Sequence, residues 1–372
     1  MEGSTRAAMD ASAGQVDAPP PPRRRWRPWL ALAPAATIAV AVTLVAVRSA
    51  PAPLVNGVPR YYVGIPASPF LASQDAPEAI VGDTFTGEKL ATVPAPAGWR
   101  FLPALAGAGD DRTFVVGAAP QSGDLLRPER LYVIRLTPGA AHFATLRELP
   151  IPAPQVSWDY ASMALSRDGT MLAVMAEATQ VRIYSMATGS LVHTWSVASS
   201  GSSGLPIVSL LSLTSDGRRL AFSAREARTN PPVNIRLLQV SDAGHDLFAD
   251  SRVVVTGSSG CGLVSGDGKT VVCGSSAPGT ASGNKACPGG VRPWTEAILR
   301  YSTATGKPTG TLYQTGAGCD IVITAPLWTS DDGNAVLGYF QTGDLDTRFG
   351  LFTPGKFTPL PAPQVYPAFA AW

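Results

Sequence analysis

Along most of the chain, short alternating runs of apolar and polar residues are broken by one recurring polar corner. The stretch LSRDGTMLAV (165–174) contains it, and aligning on the corner brings in AGDDRTFVVG (108–117), LTSDGRRLAF (213–222), VSGDGKTVVC (264–273) and TSDDGNAVLG (329–338). Asp and Gly make such a turn by local hydrogen bonding and positive φ, and the alternating or β-branched run after it reads as a strand. The residues before each corner are strand-like as well. Downstream of these lies a second set of corners between apolar residues: DTFTGEKLATV, RLTPGAAHFATL, YSMATGSLVHTW, QVSDAGHDLF, YSTATGKPTGTL and FTPGKFTPL.

Two hairpins per unit give four antiparallel strands, and a four-stranded unit repeating about every 50 residues predicts an all-β fold, a β-propeller. Five first corners stand against six second corners. The end of the chain, VYPAFAAW, reads as a first strand without a partner, whereas NGVPRYYVGI (56–65) reads as a corner and a second strand without a first. Pairing the two would complete a sheet and remove an exposed edge. The expected architecture is therefore a six-bladed β-propeller over 57–372, with 57–96 and 364–372 sharing one blade. Seven shorter units are the alternative.

Before the repeats, Trp29 to Val47 is an uncharged apolar run flanked by RRRWR and Arg48. Nineteen residues suffice for a helix to cross a hydrocarbon core of roughly 30 Å. Pro34 falls near the first turns, and Trp26 and Trp29 suit the headgroup region. The expectation is one transmembrane helix over 29–48, a disordered cytoplasmic tail over 1–28, a linker over 49–56 and an extracytoplasmic domain, with orientation set by the four arginines at 23–27. A cleaved signal peptide is the competing reading, but cutting after Ala50 or Ala52 places Arg48 or Pro53 at an unsuitable position.

Composition fits this layout. Of 372 residues, 45% are apolar and 15% charged, which excludes a disordered chain, and 37 Gly with 34 Pro spread along the sequence favour turns over long helices. The formal net charge of +2 conceals an asymmetry, because the part after Arg48 sums to about −1. No basic cluster lies outside the arginines beside the apolar run, so nucleic acid is not an expected partner.

The repeated S-x-D-G-x-x-h-A/V and h-Y-S-x-A-T-G corners resemble those of WD40-like and TolB-type propellers found outside bacterial membranes, over residues 57–372. Strict WD40 units would end in Trp-Asp and open with Gly-His, and these do not. The resemblance implies a propeller that acts as an interaction platform, although some such propellers are enzymes. The expected function is a membrane-anchored binding, scaffold or sensor module whose partner is an envelope protein or a small molecule. The alternative is a hydrolase or lyase with carboxylates converging on the channel.

In a four-stranded blade the first and third connections share one face, and here both are tight corners. The second connections, 66–79, 118–130, 224–233, 274–295 and 341–348, are long and form the expected recognition surface. Chain entry at Asn56 and Gly57 places the corner face towards the membrane. Candidate binding residues are Trp158, Asp159 and Tyr160 before a first strand, Arg292 and Trp294 closing the longest loop, and Trp328 before a corner. All of these could equally be packing residues.

Cys261, Cys273, Cys287 and Cys319 would lie in an oxidising compartment. Cys261 and Cys273 are equidistant from Asp267, so a symmetric hairpin would oppose them and leave Cys287 for Cys319; pairing 261 with 319 and 273 with 287 is the other arrangement. No metal site or cofactor is expected. His142, His193 and His245 are scattered, GDLDTRFG (343–350) lacks the remaining ligands of a calcium loop, and nucleotide-binding and nucleophile motifs are missing from the sequence.

Overall fold

The computed structural model describes residues 57–66, 78–122, 129–137, 143–152, 163–176, 179–197, 207–225, 233–241, 244–258, 262–278, 294–315, 323–341 and 347–372. These residues form six four-stranded antiparallel sheets arranged as the blades of a propeller. Blade 1 comprises β1 (Tyr61–Gly64), β2 (Glu78–Asp83), β3 (Lys89–Pro94) and the last strand of the chain, β24 (Ala370–Ala371). Blade 2 holds β4 (Trp99–Gly107), β5 (Thr113–Pro120), β6 (Arg130–Leu136) and β7 (Ala144–Leu149). Blade 3 holds β8 (Met163–Leu165), β9 (Met171–Ala176), β10 (Gln180–Ser185) and β11 (Leu191–Ser196). Blade 4 is β12 (Ile207–Leu213), β13 (Arg219–Arg225), β14 (Val233–Gln239) and β15 (Ser251–Ser258). Blade 5 is β16 (Gly262–Val264), β17 (Thr270–Pro278), β18 (Trp294–Ser302) and β19 (Pro308–Gln314). Blade 6 is β20 (Ile323–Thr329), β21 (Val336–Gln341), β22 (Thr347–Thr353) and β23 (Lys356–Pro359).

The alternation in the sequence becomes six separate cores, one between each pair of neighbouring blades. On β5, Phe114 and Val116 face blade 1, whereas Val115 faces blade 3. On β9, Leu172 and Val174 face blade 2, and Ala173 with Met175 face blade 4. Strands in the middle of a blade are thus buried on both faces and carry almost continuous apolar runs, as in MLAVMA. Outer strands relax this demand, and β19 (PTGTLYQ) is mostly exposed.

The innermost strands alternate in form around the ring. β4, β12 and β20, in blades 2, 4 and 6, run for 9, 7 and 7 residues, and each shifts register against its neighbour at a bulge. β24, β8 and β16, in blades 1, 3 and 5, have only 2, 3 and 3 residues. A bulge inserts an extra residue and bends the strand.

The ring closes between the chain ends, as expected, through a shorter contact than 364–372. Val63 pairs with Ala371 and Gly64 with Ala370, and Ile65 N donates to Phe369 O at 3.0 Å. Trp372 locks the joint: its indole donates to Thr84 Oγ1 at 3.1 Å and stacks on Phe349 at 5.3 Å.

Two expectations need correction. The second connections are shorter than the hydrophobicity pattern suggests, because β5 continues to Pro120 and β17 to Pro278, so that apparent loop residues extend the ladders. The β16–β17 hairpin is centred half a residue later than its symmetric reading, and Gly262, not Cys261, opposes Cys273. The expected six blades are present, and the seven-bladed alternative is excluded. The predicted tail, span and linker over 1–56 lie outside the described residues, as do Cys261, Cys287 and Cys319 and therefore any pairing among them. Among the described residues no helix is long and apolar enough to cross a membrane.

Candidate functional site

Each first corner is built by the residues that made it recognisable. Ser166 Oγ is buried, donates to Asp168 Oδ1 at 2.6 Å and accepts from Met171 N at 2.9 Å. Asp168 in turn accepts from Thr170 N at 3.0 Å, and Gly169 takes φ 70°. Thr214–Asp216–Gly217, Ser265–Asp267–Gly268 and Ser330–Asp332–Gly333 repeat the pattern. The residue between the hydroxyl and the Asp makes none of these local bonds. It is Gly109, Arg167, Ser215, Gly266 and Asp331 in blades 2 to 6.

These five positions meet at the corner end of the central channel. Arg167 Nη1 forms an ion pair with Asp331 Oδ1 at 2.9 Å, and Ser215 Oγ donates to the same oxygen at 2.9 Å. Blades 3 and 6 are opposite one another in a six-membered ring, so the ion pair spans the axis. The two glycines leave room for it: a Cβ on Gly266 would collide with Asp331 Oδ1, and one on Gly109 would lie 2.6 Å from Arg167 Cβ. A backbone belt reinforces the closure, with Asp168 N donating to Ser215 O (3.1 Å), Ser215 N to Gly266 O (2.9 Å) and Asp267 N to Asp331 O (2.9 Å). Arg167 also covers the Trp328 ring at 4.9 Å. Burial pulls its pKa below the ordinary value against the opposing pull of Asp331, while the Asp331 side chain remains 71% exposed.

Behind this closure lies a cavity of about 150 Å³ lined by residues of all six innermost strands. Leu105, Met163, Leu211, Leu263, Leu327 and Trp372 are among its lining residues, yet most of the surface it exposes is polar, and Arg167 is the one charged side chain among the described lining residues. Innermost strands pair on one side only, so their other edge presents backbone N–H and C=O groups to the channel. Further along β12, Leu210 occupies the bulge with φ 53° and is 46% exposed. A leucine in the left-handed region is strained by about 1–2 kcal/mol, a conformation that tends to mark functional positions.

Of the residues singled out by sequence, Trp158, Asp159, Tyr160 and Arg292 lie outside the described residues. The Trp294 backbone opens β18 opposite Pro278. Trp328 is 7% exposed, packs with Leu337, Phe349 and Trp372, and lines the channel beneath Arg167. It is the one described residue of that set that reaches the cavity. His193 packs at a tilt against Trp195, with ring centroids 5.1 Å apart, on an outer strand and His245 lies in a third connection, both away from the channel. Asp331 read in sequence as an ordinary corner residue, and its partners Arg167 and Ser215 carried no signal. Their shared place in the repeat, one before the Asp, was the available clue.

Asp111 gives blade 2 a different corner. It stands where the others have glycine, at φ 58°, and Ala108 replaces the hydroxyl. Asp110 takes over the local work, accepting from Thr113 N at 2.8 Å and from Thr113 Oγ1 at 2.6 Å. The Asp111 carboxylate is thereby released to accept from Arg60 N (3.0 Å) and Tyr61 N (2.8 Å) at the entry to blade 1. Burial pushes its pKa up to about 6 despite those two amides.

No protein-family model matches the chain, and no curated protein is significantly similar to it. Among solved structures it is similar to the crystal structure of TolB from Acinetobacter baumannii at 13% sequence identity and a TM-score of 0.42, covering 84% of this chain and 66% of that one, so that it spans just under two thirds of that protein's length.

Proposed function

We propose that this protein is a membrane-anchored, extracytoplasmic propeller that binds a polar group of an envelope protein or small molecule in its central channel. The observation that carries the reading is the cavity itself, lined by the innermost strands of all six blades, with a mainly polar surface and an end closed by the Arg167–Asp331 pair. A space of this size and lining suits a small polar group, to which the free edges of the innermost strands offer hydrogen bonds. The apolar run over 29–47 supports the anchor. Tyr61 at the start of β1 is fixed beside the Asp111 corner, which supports entry of the chain on the corner face and presentation of the opposite face to partners.

The two parts of the reading are tested separately. Protease added to spheroplasts should degrade the propeller while sparing an N-terminal epitope tag; a protected propeller would overturn the orientation. For the channel, the full-length protein is purified from membranes as wild type and as Leu263→Trp, which enlarges a half-buried side chain lining the cavity on a short innermost strand. Partner or ligand retained by wild type should fall by about tenfold with the variant. Equal retention, with the variant's circular dichroism unchanged, would exclude the channel as the binding site.

A further inference from the structure

A second cavity, of about 370 Å³, opens on the corner face between blades 4 and 5. Leu237 forms apolar wall, and Arg219, Gln239, Asp250, Arg252 and Thr303 contribute polar groups. Both arginines are positioned by carbonyls of the neighbouring blade. Arg219 Nη1 donates to Gly268 O at 2.7 Å, and an Arg252 guanidinium nitrogen donates to Thr303 O. Thr303 is itself fixed, since its buried hydroxyl donates to Gly268 O at 2.7 Å and its amide to Lys269 O at 2.8 Å.

Each guanidinium carries five N–H donors, and a single carbonyl bond leaves most of each fork unused. Neither Arg219 nor Arg252 has an ion-pair partner among the described residues, unlike the neighbouring Arg218, which lies 3.7 Å from Asp216. The acid in the lining, Asp250, is turned towards its own loop, where Oδ2 accepts from Asp246 N at 2.9 Å. Two guanidiniums held by separate strands, β13 and β15, therefore face one space with charge left to neutralise.

We propose that this cavity binds a phosphate group, held between Arg219 and Arg252. Planar guanidinium forks match the oxygen geometry of phosphate, and a group carrying close to two negative charges at neutral pH complements two cations. The phosphate is either a free ion or small monoester, which carries that charge, or the headgroup of an anionic lipid, whose phosphodiester carries a single negative charge and still fits the guanidinium forks. The second source rests on the orientation proposed above, and the first is independent of it.

The test uses the full-length protein in detergent, with thermal unfolding followed across a sodium phosphate titration and a sodium chloride titration of matched ionic strength. Phosphate should raise the melting temperature saturably where chloride does not. Arg252→Gln, at an exposed position, should melt normally in chloride and weaken phosphate about tenfold, and Arg219→Gln should do the same where it folds. Arg218→Gln, outside the cavity, should leave the affinity unchanged. Absence of a phosphate-specific shift, or equal weakening by Arg218→Gln and Arg252→Gln, would overturn the proposal in favour of diffuse surface charge. Repeating the titration in phosphatidylcholine nanodiscs with and without phosphatidylglycerol separates the sources: competition from the anionic lipid identifies a headgroup, and equal affinity identifies the free ion.

Discussion

Asp111 shows how one substitution within a repeat can change its use. The left-handed conformation costs a non-glycine residue energy, although Asp tolerates it better than most. In return, both carboxylate oxygens reach the first amides of β1, a contact that glycine does not make. The groups facing it are Asp110, Arg112, Arg60 and Tyr61, with the Arg60–Asp83 pair at 3.0 Å alongside. Because burial raises this carboxyl from 3.8 to about 6, the folded state binds a proton that the unfolded chain releases between those values. The sign follows: the group's unfavourable contribution is fully present above about pH 6 and disappears as pH falls towards 3.8. Urea denaturation of wild type and Asp111→Asn at several pH values should show wild type gaining on the variant, by on the order of 2 kcal/mol, between pH 7 and pH 4.5. A stability difference that stays flat over that interval would show that the carboxyl titrates normally.

The corner hairpins were legible because each conserves its own hydrogen bonds. Ser or Thr, Asp and Gly act on one another within five residues, so the motif survives in any blade and announces a turn. Blade 2 also explains why Ala is tolerated in place of the hydroxyl: Thr113 bonds Asp110 instead. Thr270 holds the equivalent place in blade 5, whereas blade 6 has Ala335 there. Ser330→Ala should therefore cost more than Ser265→Ala, about 2 kcal/mol against 1 or less, in matched chemical denaturation. Equal losses would mean that the threonine offers no substitute. Loss of the Ser330 hydroxyl also removes the main cause that holds Asp332 near 2, so part of the deficit should fade as pH falls from 3.8 towards 2. The positions that close the channel were hidden for the opposite reason. Arg167, Ser215 and Asp331 differ in type because each answers to another blade, and their partners lie up to 164 residues away. The alternation of long and short innermost strands was equally hidden, since a bulge depends on packing against neighbours and leaves no fixed residue pattern. Trp328 was visible as an aromatic near a corner, but sequence could not separate its two roles, and the structure gives it both.

A ring of blades has a particular weakness, because five of its interfaces join neighbours in sequence and the remaining one must join the ends. Here the two-residue strand β24 provides a short ladder, and the closure depends heavily on side chains beyond it. Trp372 is 4% exposed, stacks on Phe349 of blade 6, bonds Thr84 of blade 1, and its carbonyl packs where a Cβ on Gly107 of blade 2 would collide. One residue thus touches three blades. It also lines the channel, which couples the closure to the proposed binding cavity. Replacing it with Ala removes a large buried ring without breaking the β1–β24 ladder and should cost about 3–5 kcal/mol in chemical denaturation. Deleting 370–372 removes ladder and anchor together, and should leave blade 1 without its innermost strand and open to limited proteolysis at conditions where Trp372→Ala is still resistant. If both variants instead unfold like wild type, the ring is held by the five sequential interfaces alone. If Trp372→Ala behaves as expected, occupancy of the channel beside Trp372 should stabilise the closure by mass action, so a true channel ligand would recover melting temperature in wild type more than in the truncated ring.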